Sequence, residues 1–232
     1  MGDDRAAGAH ELHDGLPDAV SAALPGRFLV FDGPDGSGKS TQLQRLVRAA
    51  GVSGVDVCEV REPGGTHVGE RIREALLEHS DEEMSVRCEM LLYMASRAQL
   101  VEQRIVPALT RRACVVADRF VSSTLAYQGT AGGLPPPDIH AVAAIACGGV
   151  KPDLVIIFDL DERTAMSRLS PLLDRMEAKG SAFHRRVRAG YLAQAEADPE
   201  GHLVIDASAE PDEVYARLIA GLNERLGGGA QA

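Results

Sequence analysis

The sequence predicts an α/β fold, a five-stranded parallel sheet flanked by helices, with a phosphate-binding loop at the end of its first strand. Two observations carry this expectation. Apolar runs at 28–32, 55–60, 114–117, 154–158 and 203–205 alternate with longer stretches of helical periodicity, the rhythm of strands joined by crossover helices. The first run leads directly into Gly33–Ser40, GPDGSGKS, a complete G-x-x-x-x-G-K-[ST] loop in the strand, loop, helix order that its chemistry requires.

The loop is the first element with a chemical reading. Gly33, Gly36 and Gly38 let backbone N–H groups turn inward around phosphate oxygens, with Pro34, Asp35 and Ser37 between them. Lys39 supplies a mobile positive charge, the Ser40 hydroxyl suits Mg²⁺ shared with a nucleotide, and Thr41 follows on the helix. Leu43, Leu46, Val47 and Ala50 recur at helical spacing, so a helix over 38–50 points its positive end at the same anion.

Periodicity and cap signals place further helices over 66–79, 82–106, 135–148, 161–169, 182–196 and 211–225. Residues 1–26 mix acidic, Ala and Gly positions with Pro17 and Pro25. They read as a flexible or weakly helical extension outside the core, leaving 27–228 as a single domain.

In an open parallel sheet, ligands gather beyond the carboxyl ends of the strands. Here strand two ends at Arg61-Glu62-Pro63-Gly64-Gly65, strand three at Asp118-Arg119 and strand four at Asp159. Asp118, closing the apolar run CVVAD, is the candidate second holder of Mg²⁺ beside Ser40. Arg119 would face a second phosphate group as a planar bidentate cation, unless it forms a structural salt bridge. Tyr93 and Arg97 lie four residues apart on one helix face. They suit a ring stacked on a base beside a guanidinium at its edge, or an ordinary aromatic with a snorkelling arginine. Ser122, Ser123, Thr124, Tyr127 and Gln128 form a polar patch that could read a base or sugar, or cap a short helix. Arg163, Arg168, Arg175, Arg185, Arg186 and Arg188 flank Pro171. They form either a basic lid over the phosphates or a solvated helix face.

Composition narrows the partners. With 34 acidic and 24 basic residues the formal charge is −10, which disfavours DNA, RNA and anionic membranes. No apolar run approaches the ~20 residues of a membrane span, and the start MGDDRAAGAHELHDG lacks a signal peptide's regions. A cytoplasmic protein is expected. Cys58, Cys88, Cys114 and Cys147 are scattered without a C-x-x-C pair, so neither zinc nor disulfides are indicated.

Several separate blocks resemble the bacterial thymidylate kinases over about residues 27–226: FDGPDGSGKST, REPGGT at 61–66, YMASRAQL at 93–100, DRFVSSTLAYQG at 118–129, LDRME at 173–177 and VIDAS at 204–208. The resemblance implies the nucleoside monophosphate kinase fold, a homodimer, and ATP-dependent phosphorylation of dTMP with Mg²⁺. It implies that Asp35 binds near the acceptor's 3′-hydroxyl, and that Arg119 and Arg61 hold the acceptor phosphate. Tyr93 would stack on thymine, Arg97 would bond its exocyclic oxygen, and Ser123, Thr124 and Gln128 would line the base. Tyr127 would crowd the sugar 2′ position, with Glu62, Arg73 and Glu177 around the pocket. The stacking position, commonly Phe, is Tyr93 here, and Ser37 leaves the loop without the arginine found there in other members. A lid around 168–180 would therefore supply the transition-state cation, with Arg168 and Arg175 as the candidates beside Lys39 and Arg119. The rivals are a kinase for another nucleoside monophosphate, a P-loop ATPase switch, and a nucleoside kinase. The arginines disfavour the last, and the absence of N-K-x-D argues against a guanine-nucleotide switch.

Overall fold

The computed structural model describes residues 15–78, 83–168 and 174–227. Among these, five strands form one all-parallel sheet: β1 (Phe28–Asp32), β2 (Val57–Arg61), β3 (Cys114–Asp118), β4 (Leu154–Asp159) and β5 (His202–Asp206), in the order β2-β3-β1-β4-β5. The helices are α1 (Asp18–Ala23), α2 (Lys39–Val52), α3 (His67–Leu77), α4 (Val86–Leu100), α5 (Val106–Thr110), α6 (Val121–Thr124), α7 (Pro136–Cys147), α8 (Glu162–Ser167), α9 (Ser181–Ala197) and α10 (Pro211–Leu226).

The central strand explains the continuous apolar runs. Every residue of β1 is buried, because helices cover both faces of the sheet. Alternate side chains then feed two cores. Phe28 and Val30 join Val115, Ala117 and Ile157 on one face, while Leu29 and Phe31 join Val116, Ile156 and Phe158 on the other. Phe28 meets Phe120 edge-on at 5.0 Å between centroids, and Phe31 stacks on Phe158 at 5.4 Å. β1 pairs with β3 from Phe28↔Val115 to Phe31↔Asp118. That register brings the start of the loop beside Asp118 and Arg119.

Three features differ from the expectations. Leu16, Val20 and Leu24 are buried in the same core as α2 and α10, so the stretch just before β1 belongs to the packed domain. Its apolar spacing in a single short helix is too brief to register as periodicity. The helix expected over 82–106 is α4, a π-helical segment Val101–Ile105, and α5. The widened turn ends two residues before Pro107, which has no amide hydrogen to continue the regular ladder. The polar patch after Arg119 is a continuous helical element, α6 followed by a π-helical segment Leu125–Ala131.

Leu24 has no exposed surface, so Leu24→Ala should lower unfolding free energy by about 2–4 kcal/mol. Urea titration would measure it, and a loss below ~0.5 kcal/mol, typical of surface substitutions, would place α1 outside the cooperative unit.

Candidate active site

The loop Gly33–Ser40 turns at the carboxyl end of β1. Gly33 has φ 136°, and a Cβ there would lie 2.5 Å from the Phe158 carbonyl oxygen, so only glycine lets β4 approach this turn. Lys39, buried at the start of α2, lies 3.6 Å from Asp35 Oδ1. Ser40 Oγ donates to Asp118 Oδ2 at 2.8 Å. The Ser37 hydroxyl is buried without a hydrogen-bond partner among the described residues, which leaves a donor for an anion in the loop.

Arg119 follows β3 in the left-handed region, φ 74°, a conformation that costs a non-glycine residue about 1–3 kcal/mol unless its surroundings impose it. They do. Its main-chain N–H donates to Phe31 O at 3.0 Å, and its NH1 donates to Ser123 Oγ at 2.9 Å and to the Tyr191 hydroxyl at 3.1 Å. NH2 donates to Asp35. Beneath it, fully buried Asp32 accepts hydrogen bonds from Ser122, Ser123 and, at 2.7 Å, Tyr191. Tyr127 OH donates to Asp35 Oδ2 at 2.7 Å. Burial alone would raise the Asp35 carboxyl, but the charges of Arg119 and Lys39 and the Tyr127 hydrogen bond outweigh it, holding the group well below the usual carboxylate range. Asp35 is thus an ionised acceptor at neutral pH.

A second cluster faces the first. Glu62 just beyond β2 and Arg97 on α4 form a buried pair, NH2 to Oε2 2.6 Å, with Nε donating to Oε2 at 2.8 Å. Burial pushes the Glu62 carboxyl up, against the charge and hydrogen bonds of Arg97. Arg97 NH2 also donates to Thr124 Oγ1 at 3.2 Å and NH1 to the Met94 sulfur at 2.9 Å. A guanidinium has five N–H groups, so among the described residues one NH1 hydrogen is left for a ligand. Tyr93 lies one turn earlier on α4, and Gln128 is buried on the facing π-helical segment. At the rim, Arg61 pairs with Glu70 at 3.1 Å and Arg73 donates to Pro63 O at 3.0 Å. Burial, then the nearby Arg61 charge, holds Arg73 below its usual basicity, a strain that a phosphate dianion would relieve.

One cavity of about 210 Å³ joins the two clusters, lined by Lys39, Ser40 and Asp118 at one end and by Arg73, Tyr93, Arg97 and Gln128 at the other. Ser40 and Asp118 offer oxygen donors at one end of the cavity, and no group of three or more His, Cys, Asp or Glu side chains that could hold a metal occurs among the described residues. Ser40 and Asp118 therefore fit Mg²⁺, which takes one or two protein ligands plus nucleotide phosphates, and not a metal that needs a protein cage.

Residues 31–218 match the family model described as thymidylate kinase. A thymidylate kinase from Exiguobacterium sp. is 44% identical over 205 residues, 88% of this chain and 97% of that one. One from Deinococcus radiodurans is 43% identical over 202 residues, 86% and 98% of the two chains. The crystal structure of thymidylate kinase from Ehrlichia chaffeensis superposes with a TM-score of 0.69 at 29% identity, covering 86% of this chain and 99% of that one. The chain belongs to the thymidylate kinase family. It is a nucleoside monophosphate kinase that phosphorylates dTMP to dTDP in nucleotide biosynthesis.

The kinase brings together every residue expected around the acceptor: Asp35, Arg61, Glu62, Arg73, Tyr93, Arg97, Arg119, Ser123, Thr124, Tyr127, Gln128 and Glu177 all line the cavity. Arg97 is not a snorkelling side chain, being 1% exposed. Arg168 and Arg175, the two arginines expected on a lid, do not line it. Arg168 donates to Ala207 O at 3.3 Å, and Arg175 donates to Leu76 O at 2.7 Å and pairs with Glu89 at 2.7 Å. Their neighbours likewise meet local partners, Arg188 on Asp159 at 2.6 Å and Arg185 on Glu162 at 3.4 Å. Carboxylates on adjoining elements thus neutralise much of the basic segment. Residues 169–173, including Pro171, lie outside the described residues.

Asp32 and Tyr191, beneath Arg119, are part of the site and escaped sequence reading. Asp32 carried a signal, an acid ending an apolar run as Asp118 does. Nothing local distinguishes Tyr191, 72 positions from Arg119.

All four tyrosines of the kinase, Tyr93, Tyr127, Tyr191 and Tyr215, have their phenols pushed up, burial being the first cause in each. The fold favours the neutral phenol, so this stabilisation is complete below the unfolded value of about 10 and is lost as pH rises through the folded values. Ultraviolet titration should show little tyrosinate in the native protein at about pH 10, where unfolded chains are half ionised. Ordinary native midpoints would contradict the buried geometry.

Proposed function

We propose that ATP is the phosphoryl donor, with its phosphates in the loop Gly33–Ser40, Lys39 against them, and that Ser40 and Asp118 would hold Mg²⁺. The single observation behind this reading is the continuous cavity that runs from Lys39 to Arg97. Donor and acceptor can meet in it with water largely displaced. When bound, Mg²⁺ neutralises phosphate charge that would otherwise repel the incoming acceptor.

The residues of the chain then position the acceptor. Arg97 offers its remaining NH1 hydrogen to the exocyclic oxygen of thymine, with Tyr93 stacked on the ring and Thr124 and Ser123 along its side. Asp35, ionised, accepts from the sugar 3′-hydroxyl. The Tyr127 hydroxyl, fixed on Asp35 at 2.7 Å, occupies the space a 2′-hydroxyl would need. Arg73, Arg61 and Arg119 face the acceptor phosphate, and Glu62 holds Arg97 in register. Glu177 closes the rim with Asp174, whose Oδ1 accepts from the Glu177 N–H at 2.9 Å.

Arg119 is the transition-state cation in this reading, together with Lys39. Both line the cavity, whereas Arg168 and Arg175 do not. No covalent enzyme intermediate is involved: the acceptor phosphate oxygen displaces ADP in line, so positioning and charge neutralisation carry the catalysis.

The reading includes a cytoplasmic homodimer acting on a small-molecule substrate, without nucleic acid or membrane. No helix among the described residues is long and apolar enough to cross a membrane. The packed pair α4 and α7 leaves Leu91 49% and Ile145 83% exposed, which favours a self-association face there.

Lys39→Ala should lower turnover by at least about 10²–10³-fold, while dTMP affinity measured by calorimetry stays within a few fold. Joint loss of both would place Lys39 in the acceptor site or the folding core instead. Sedimentation equilibrium should return twice the 24.6 kDa chain mass, and a monomer at assay concentration would refute the dimer.

A further inference from the structure

Glu89 has no part in the roles above, yet it is among the most buried acids of the described residues. Its side chain is 1% exposed on α4, one turn before Tyr93. Three groups converge on it. Arg175 NH1 lies 2.7 Å from Oε2, Lys179 Nζ lies 3.1 Å from Oε2 and 3.2 Å from Oε1, and Gln128 Nε2 donates to Oε1 at 2.8 Å. The Lys179 ammonium also sits 4.9 Å from the Phe183 ring centroid. A buried carboxylate needs such company, and the two cations make Glu89 a pure acceptor.

That has a consequence for Gln128. A carboxamide has a donor end and an acceptor end. Glu89 accepts only, so the donor end must turn toward it, and the acceptor end Oε1 faces the other way. Gln128 lines the cavity, and among the described residues no donor meets Oε1. A base lying beside Arg97 and Gln128 therefore meets a donor from the first and an acceptor from the second. The pyrimidine imide of thymine and uracil, a carbonyl next to a ring N–H, matches that pair. The cytosine edge, an amino group next to an unprotonated ring nitrogen, opposes both, and the mismatch leaves buried polar groups unpaired.

We propose that Glu89 is a specificity-determining positioning residue: by fixing the orientation of the Gln128 amide, it makes the acceptor pocket select the imide edge over the cytosine edge. This rests on the reading that Gln128 faces the base.

The test is Glu89→Gln. Arg175 and Lys179 would retain the new amide's oxygen, its NH₂ would point at Gln128, and the Gln128 amide would turn over to accept, presenting a donor to the pocket. The kcat/KM ratio of dTMP to dCMP should fall at least tenfold, while the ratio of dTMP to dUMP, which share the imide edge, stays within twofold. A proportional loss for all three substrates would reduce Glu89 to a structural role and overturn the proposal. Gln128→Leu separates the two layers. If it leaves the dTMP to dCMP ratio unchanged, the base-facing reading fails; if it lowers the ratio and Glu89→Gln does not, only the role of Glu89 fails. Should Glu89→Gln not melt cooperatively, the wild-type protein answers by ¹⁵N NMR. The Gln128 side-chain NH₂ pair, identified by its loss in Gln128→Leu, should be nearly unmoved by dTMP. A large shift of that pair would place the donor end on the base and overturn the proposal.

Discussion

The guanidinium of Arg119 ties together parts of the chain that are far apart in sequence: Asp35 in the loop, Ser123 on α6 and Tyr191 on α9. Much of the site depends on that junction. It holds the loop carboxylate in place and rests on a fully buried floor of Asp32, Ser123 and Tyr191 hydrogen bonds. The left-handed backbone at Arg119 is strained in isolation. The surrounding contacts over-determine it, and the side chain is aimed into the cavity as a result.

Charge in the cavity is balanced rather than simply positive. Lys39, Arg61, Arg73, Arg97 and Arg119 share its lining with Asp35, Glu62, Asp118, Asp174 and Glu177. In a chain of formal charge −10, each cation that must survive burial has a nearby acceptor, as Arg97 has Glu62 and Arg119 has Asp35. Arg73 is the contrast: its basicity is depressed by burial and by Arg61, so an incoming dianion improves its surroundings.

Legibility followed the range of the signal. The runs that became β1, β3 and β4 are unbroken because a strand covered on both faces needs an apolar run, which is visible locally, whereas the edge strands β2 and β5 keep exposed positions and give a weaker local signal. The residues that line the cavity were legible because REPGGT, YMASR and the DRFVSSTLAYQG block are contiguous. The helical character of 121–131 was only hinted at, since its polar side chains point into a polar site and leave no apolar period. The placement of Arg168 and Arg175 was illegible, as the Ala207 carbonyl and Glu89 that hold them come from distant elements.

The sequence by itself determined the strand, loop and helix of a phosphate-binding motif at the end of the first strand, and the separate blocks whose residues line one cavity with it. Both follow from short motifs whose backbone geometry and residue types are local. Only the tertiary structure decided which charged groups pair with one another. Asp35 meets Arg119 across 84 positions, and Glu89 meets Gln128 across 39. The strength and direction of those contacts depend on distance and burial in three dimensions, which spacing along the chain does not encode.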